Sequence, residues 1–168
     1  YLATALPGRI EHVYTEQHFT EEECRLDVHV EVLAAQAGPS ELVLSVDGQS
    51  VRRSVALVEG VNALNESIEI ADPKRWWPAG YGEQPLYELE VAIAGERVRK
   101  RIGLRELALV TEEDDRGLSF AFHVNGVAIF AKGANWIPCD ALPARQTRAV
   151  LDDLLSSAAA AHMNMIRV

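Results

Sequence analysis

The sequence predicts a mainly β chain: an immunoglobulin-like antiparallel β-sandwich followed by a strand–helix–strand unit. Three observations predict it. The first hundred residues carry about seven short runs of alternating apolar and polar residues with turn pairs between them, the pattern of a two-sheet sandwich. Asn125-Gly126 then lies between alternating apolar residues. That is a strong hairpin signal, because both residues tolerate the positive φ of a type I′ turn. Beyond it the period lengthens to that of a helix, flanked by two apolar strands.

The clearest strand is 24–34, where Cys24, Leu26, Val28, Val30 and Val32 fall on one face and Arg25, Asp27, His29 and Glu31 on the other. His29 therefore reads as a solvated histidine, and Glu21-Glu22-Glu23 as a charged turn. Further strands are expected at 9–14, 41–46, 50–57, 61–70, 86–94 and 97–102, with turns at Asp47-Gly48 and Gly95-Glu96. Apolar residues on one face of each strand require two sheets to stack. Between the fifth and sixth strands, 71–85 reads ADPKRWWPAGYGEQP, in which proline and glycine disfavour regular structure. Trp76, Trp77 and Tyr81 give this segment a large aromatic area. They form either a plug on the sandwich end or a neighbouring domain, or a stacking platform for sugar.

The acidic segment 105–116, with Glu112, Glu113, Asp114 and Asp115, reads as a solvated crossing between units. The hairpin around Asn125-Gly126 is expected to run through 129–131 to Gly133-Ala134-Asn135-Trp136, a composition suited to the lip of a site. Pro138 and Pro143 forbid helix continuation there. From 147 to 162, Val150, Leu151, Leu154, Leu155 and Ala158 share one stripe, with Thr147 as N-cap and Asn164 as the left-handed residue that ends the helix. A strand begins at Met165. Strand, helix and strand imply a parallel pair with a right-handed crossover. Such a pair needs further strands and cover on both faces. The chain is accordingly expected to be cut from a longer protein and to self-associate through the apolar surface this exposes.

Net charge is −9 over 168 residues, and the basic and acidic residues of 126–168 nearly balance, so the acidic excess lies in the first 125. An acidic surface repels phosphate backbones, which argues against a nucleic-acid partner. No apolar run reaches transmembrane length and no signal-peptide pattern opens the chain, so no membrane partner is expected. Cys24 and Cys139 are the only cysteines and make neither a disulfide framework nor a metal spacing. No metal or other cofactor is expected.

Three segments then carry a resemblance: WWPAGYGEQPLYEL (76–89), FHVNGVAIFAKGANWIP (122–138) and HMNMIRV (162–168). Together they resemble the β-mannosidases of glycoside hydrolase family 2. The resemblance implies a sandwich over 1–106, a linker and hairpin strand over 107–125, and the start of a catalytic (β/α)8 barrel over 126–168. It implies retaining hydrolysis of terminal β-mannosides by two glutamates on later barrel strands, with no catalytic residue in this chain, and the rest of the barrel as partner. Asn65-Glu66 matches the asparagine–glutamate order of an acid/base site in many barrel glycosidases, but lies in a sandwich strand and reads as coincidence. Asn135 and Trp136 would end the first barrel strand at the face where barrel sites form. Trp136 lines the sugar pocket or packs in the core. Arg167 resembles an arginine that hydrogen-bonds the nucleophile; alone, it would read as a surface cation. The rival readings are an autonomous sandwich that binds carbohydrate or another domain, a purely structural brace, and a family 2 enzyme acting on galactosides or glucuronides.

Overall fold

The computed structural model describes residues 7–168. Packing divides the chain into two compact units: residues up to Lys74 together with Pro85–Leu104, and Arg75–Gln84 together with Arg105–Val168.

The first unit is the sandwich. Its strands are β1 (Gly8–Phe19), β2 (Glu23–Ala34), β3 (Gly38–Val46), β4 (Gln49–Leu57), β5 (Gly60–Ala71), β6 (Tyr87–Ile93) and β7 (Glu96–Ile102). They form a three-stranded sheet, β1-β2-β5, and a four-stranded sheet, β4-β3-β6-β7, with every pairing antiparallel. The alternation in β2 sends Cys24, Leu26, Val28, Val30 and Val32 inward, where they meet Leu42, Leu44 and Val46 of β3 and Leu89, Val91 and Ile93 of β6. Each fully buried leucine or valine contributes roughly 1.5–3 kcal/mol relative to its exposed state.

Turn chemistry follows the two-residue rule. Asp47-Gly48 has φ of 45° and 90°, the type I′ combination. The β6–β7 turn falls one residue earlier than its sequence suggests, on Ala94-Gly95, with Ala94 at φ 53°. The register pairs Ile93 with Glu96, so an alanine is held in the left-handed region. The buried polar residue Asn62 is satisfied locally. Its Nδ2 donates to the carbonyls of Val58 (2.8 Å) and Gly60 (2.9 Å), and its Oδ1 accepts the Val58 N–H (2.9 Å).

The second unit holds shorter elements. Strand β8 (Leu107–Val110) lies in the stretch expected to be a solvated crossing; it pairs with β11 (Ala121–Val124), which pairs with β12 (Val127–Ile129). Asn125-Gly126 makes the β11–β12 turn with φ of 51° and 78°, type I′ as its sequence demands. Strands β9 (Glu113–Asp114) and β10 (Gly117–Leu118) form a small ladder. Strand β13 (Gly133–Asn135) pairs in parallel with β14 (Met165–Arg167), and helix α1 (Arg148–Ala160) lies between them in sequence.

Thr147 caps α1: its side chain accepts the Val150 N–H at 3.4 Å. The helix ends in a Schellman motif, in which the Met163 N–H donates to Ala158 O (3.0 Å) and the His162 N–H to Ala159 O (2.9 Å). His162, at φ 57°, is the left-handed residue; Asn164, expected in that role, lies two residues beyond and is used otherwise. No residue of α1 is buried, and Val150, Leu154 and Leu155 of its apolar stripe are exposed.

Candidate functional site

The parallel pair brings the predicted lip together. Gly133, Ala134 and Asn135 stand in register with Met165, Ile166 and Arg167, and the Trp136 N–H donates to the Arg167 carbonyl at 2.7 Å. Asn135 and Arg167 are therefore neighbours at the C-terminal ends of two parallel strands. Asn135 and Trp136 line a hollow of about 270 Å³ whose other walls are Leu154, Ala158, Met163 and Ile166, so its chemistry is largely apolar. Arg167 does not line this hollow; its side chain is exposed and makes no ion pair among the described residues.

The close approach of the strands depends on Gly133. A Cβ there would overlap the Met165 carbonyl oxygen and lie 2.8 Å from its carbon. The expected continuous strand into the lip is broken at 130–132. The Lys132 N–H reaches the Phe130 carbonyl at 3.0 Å, closing a γ-turn on Ala131 that turns the chain from β12 into β13. Asn164, whose role is not visible in its sequence neighbourhood, holds this turn. Its Oδ1 accepts the Lys132 N–H (2.8 Å) and its Nδ2 donates to Phe130 O (3.1 Å).

The aromatic residues Trp76, Trp77 and Tyr81 belong to the second unit and make contacts within it. The Arg105 guanidinium lies 4.8 Å from the Trp76 ring centroid, a cation–π contact, and Asn125 Nδ2 donates to the Trp76 carbonyl at 3.0 Å. The Tyr81 hydroxyl accepts the Phe130 N–H at 3.0 Å. The Trp77 ring abuts Gly82, where an added Cβ would come within 2.8 Å of it. Trp76 lines a separate hollow of about 200 Å³ with Pro78, Arg105, Phe122 and Met165. Neither Trp76, Trp77 nor Tyr81 lines the hollow at Asn135.

Further polar clusters lie on the sandwich. On the outer face of β1-β2-β5, ligand atoms of Glu16, His18 and Asp27 lie within 4.8 Å of one another. Asp27 is already engaged there: the Ser67 hydroxyl donates to it at 2.7 Å and Arg25 Nε lies 3.2 Å away. The Ser67 hydrogen bond is the largest influence on the Asp27 carboxyl; burial opposes it, and the lesser pull of the Arg25 charge helps to hold the group below the usual aspartate range. His29, expected to be solvated, is part-buried: it stacks on Tyr14 (centroids 4.5 Å apart) and its Nδ1 pairs with Asn65 Oδ1 at 2.8 Å. Glu66 meets Arg53 at 3.4 Å on β5. Cys24 is buried and Cys139 is exposed.

Residues 8–105 match the family model of the glycosyl hydrolases family 2, and the chain belongs to that family. Among curated relatives, it is 35% identical to β-mannosidase B of Emericella nidulans over 96% of its own length and 20% of the relative's. Among solved structures, it resembles the β-D-mannosidase of Dictyoglomus thermophilum with a TM-score of 0.89 and 32% identity, covering 96% of this chain and 21% of that one. An exo-chitosanase of Amycolatopsis orientalis shares the fold, with a TM-score of 0.80 at 19% identity over 95% of this chain and 20% of that one. The chain thus spans about a fifth of the length of the relatives it matches.

Proposed function

We propose that this chain supplies the sandwich and the opening of the catalytic (β/α)8 barrel of a retaining exo-β-mannosidase, which hydrolyses terminal β-D-mannosyl residues. The observation that carries the reading is the parallel pair, with Asn135 and Arg167 side by side at the strand ends. Barrel enzymes build their sites at that end. The 35% identity to a β-mannosidase across nearly the whole chain supports mannose over galactose or glucuronic acid as the sugar.

In this reading, 1–106 is the sandwich, 107–125 the connecting segment and 126–168 the beginning of the barrel. Retention requires two carboxyl groups about 5–5.5 Å apart, one acting as acid/base and one as nucleophile. Both come from outside this chain. Two of the three acidic residues within 126–168 have other engagements: Asp152 pairs with Arg148 at 3.4 Å, and Asp140 accepts the Leu142 N–H at 2.8 Å. Arg167 hydrogen-bonds the nucleophile and favours its ionised form. Asn135 and Trp136 contribute to the sugar pocket. The chain by itself is inactive, and its exposed Val150, Leu154 and Leu155 favour self-association where the rest of the barrel is absent.

The test is hydrolysis of an aryl β-mannoside by the intact gene product, with the 168-residue chain assayed beside it. Turnover by the intact product alone is expected. Turnover by the short chain would refute the assignment of both carboxyls elsewhere. Cleavage of a galactoside or glucuronide in place of the mannoside would refute the substrate.

A further inference from the structure

We propose that Asn164 is a positioning residue: it sets the register of the parallel pair and thereby stations Arg167 beside Asn135. The inference rests on the reading above, in which those two residues serve a glycosidase site. Strands β13 and β14 are three residues each, too short for side-chain alternation alone to fix their register firmly. A slip of one residue would turn Arg167 to the opposite face of the pair.

Asn164 supplies what the strands lack. Its carboxamide bonds both polar groups of the γ-turn, accepting from Lys132 N–H at 2.8 Å and donating to Phe130 O at 3.1 Å. Its own backbone N–H donates to Lys132 O at 2.9 Å. One residue thus makes three hydrogen bonds to the segment that starts β13, immediately before β14 begins. Only a side chain with one donor and one acceptor at this length meets both partners. Leucine has the size without the polarity, ionised aspartate lacks the donor, and glutamine is a methylene too long. The Trp136–Arg167 hydrogen bond closes the far end of the pair. Asn164 does not touch that bond, so the bond reports register rather than local contact.

The experiment uses the intact gene product with Asn164→Leu and Asn164→Asp. Residue-resolved amide exchange is read at Trp136, and kcat and KM are measured on an aryl β-mannoside. In Asn164→Leu, Trp136 protection is expected to fall at least tenfold, and kcat at least tenfold with KM within threefold. Asn164→Asp should match it at pH 7. Below about pH 4 its protonated carboxyl again offers one donor and one acceptor, and kcat relative to wild type should recover. Unchanged Trp136 protection in both variants overturns the register role. Lost protection with kcat intact overturns the stationing of Arg167. A wild-type protein without mannosidase activity would sink the proposed function, yet exchange at Trp136 would still decide the role of Asn164.

Discussion

Replacing Gly133 by alanine tests how closely the parallel strands must approach. The new Cβ would overlap the Met165 carbonyl oxygen and sit 2.8 Å from its carbon, whereas real Cβ contacts essentially never fall under 3.0 Å. The offending atoms are backbone and cannot swing aside as a flexible side chain would. Strand β14 must therefore retreat by about 1 Å, which carries a hydrogen bond of ordinary length beyond the range in which it still counts. The bonds at risk are Trp136 N–H to Arg167 O (2.7 Å), Asn164 N–H to Lys132 O (2.9 Å) and Met165 N–H to Lys132 O (3.2 Å). Losing two or three at about 1 kcal/mol each destabilises the pair by roughly 2–3 kcal/mol. Amide exchange resolves this locally. Protection at Trp136 and Met165 should fall about 30- to 150-fold, while the β2 amides, which belong to the other unit, keep theirs. Unchanged protection at Trp136 and Met165, or an equal loss in β2, would refute the reasoning.

Three further outcomes are expected. Leu44→Ala empties a fully buried site in the sandwich and should cost about 2–5 kcal/mol in chemical denaturation of the first unit; a cost under about 1 kcal/mol would mean the sheets close over the gap. Ala94→Gly relieves a left-handed alanine at φ 53° and should raise the denaturation midpoint by about 0.5–1 kcal/mol equivalent, with the slope unchanged. Because the folded-state pKa of Asp27 is lowered, its stabilising contribution is complete above about pH 4 and is lost as pH falls through the folded value. Asp27→Asn should therefore lower stability at pH 7 and flatten its decline below pH 4; an acid limb identical to wild type would contradict the Ser67 and Arg25 contacts.

The legible parts of this fold are those whose cause is local. The alternation of β2 is visible because Cys24 to Val32 face one core, and Asn125-Gly126 is visible because its turn needs two positive φ values. The β6–β7 turn was displaced by one residue because an alanine gives no sign that it will be left-handed. His162 took the helix-ending role for the same reason: the Schellman bonds select a position, and residue preference is secondary. The resemblance singled out Asn135, Trp136 and Arg167, and the register that sets Asn135 beside Arg167 is seen only in the structure. The γ-turn on Ala131 and its clamp by Asn164 were not legible, because the partners are more than thirty residues apart in the chain. The destination of Trp76 and Tyr81 was open for a similar reason, since tryptophan and tyrosine carry the same composition whether they bind sugar or anchor a loop.

The loop carrying Trp76 and Tyr81 also has a temporal consequence. It leaves the ribosome before β6 and β7 complete the sandwich, yet its partners come later: Asn125 follows Trp76 by 49 residues, as Phe130 follows Tyr81. At about 5–20 residues per second, this aromatic segment waits roughly 2–10 s for those contacts during synthesis. Throughout that interval an indole-rich stretch is available to chaperones and to neighbouring nascent chains. A slow codon stretch between positions 85 and 130 would lengthen that exposure, and would lower the yield of soluble protein without altering a single amino acid.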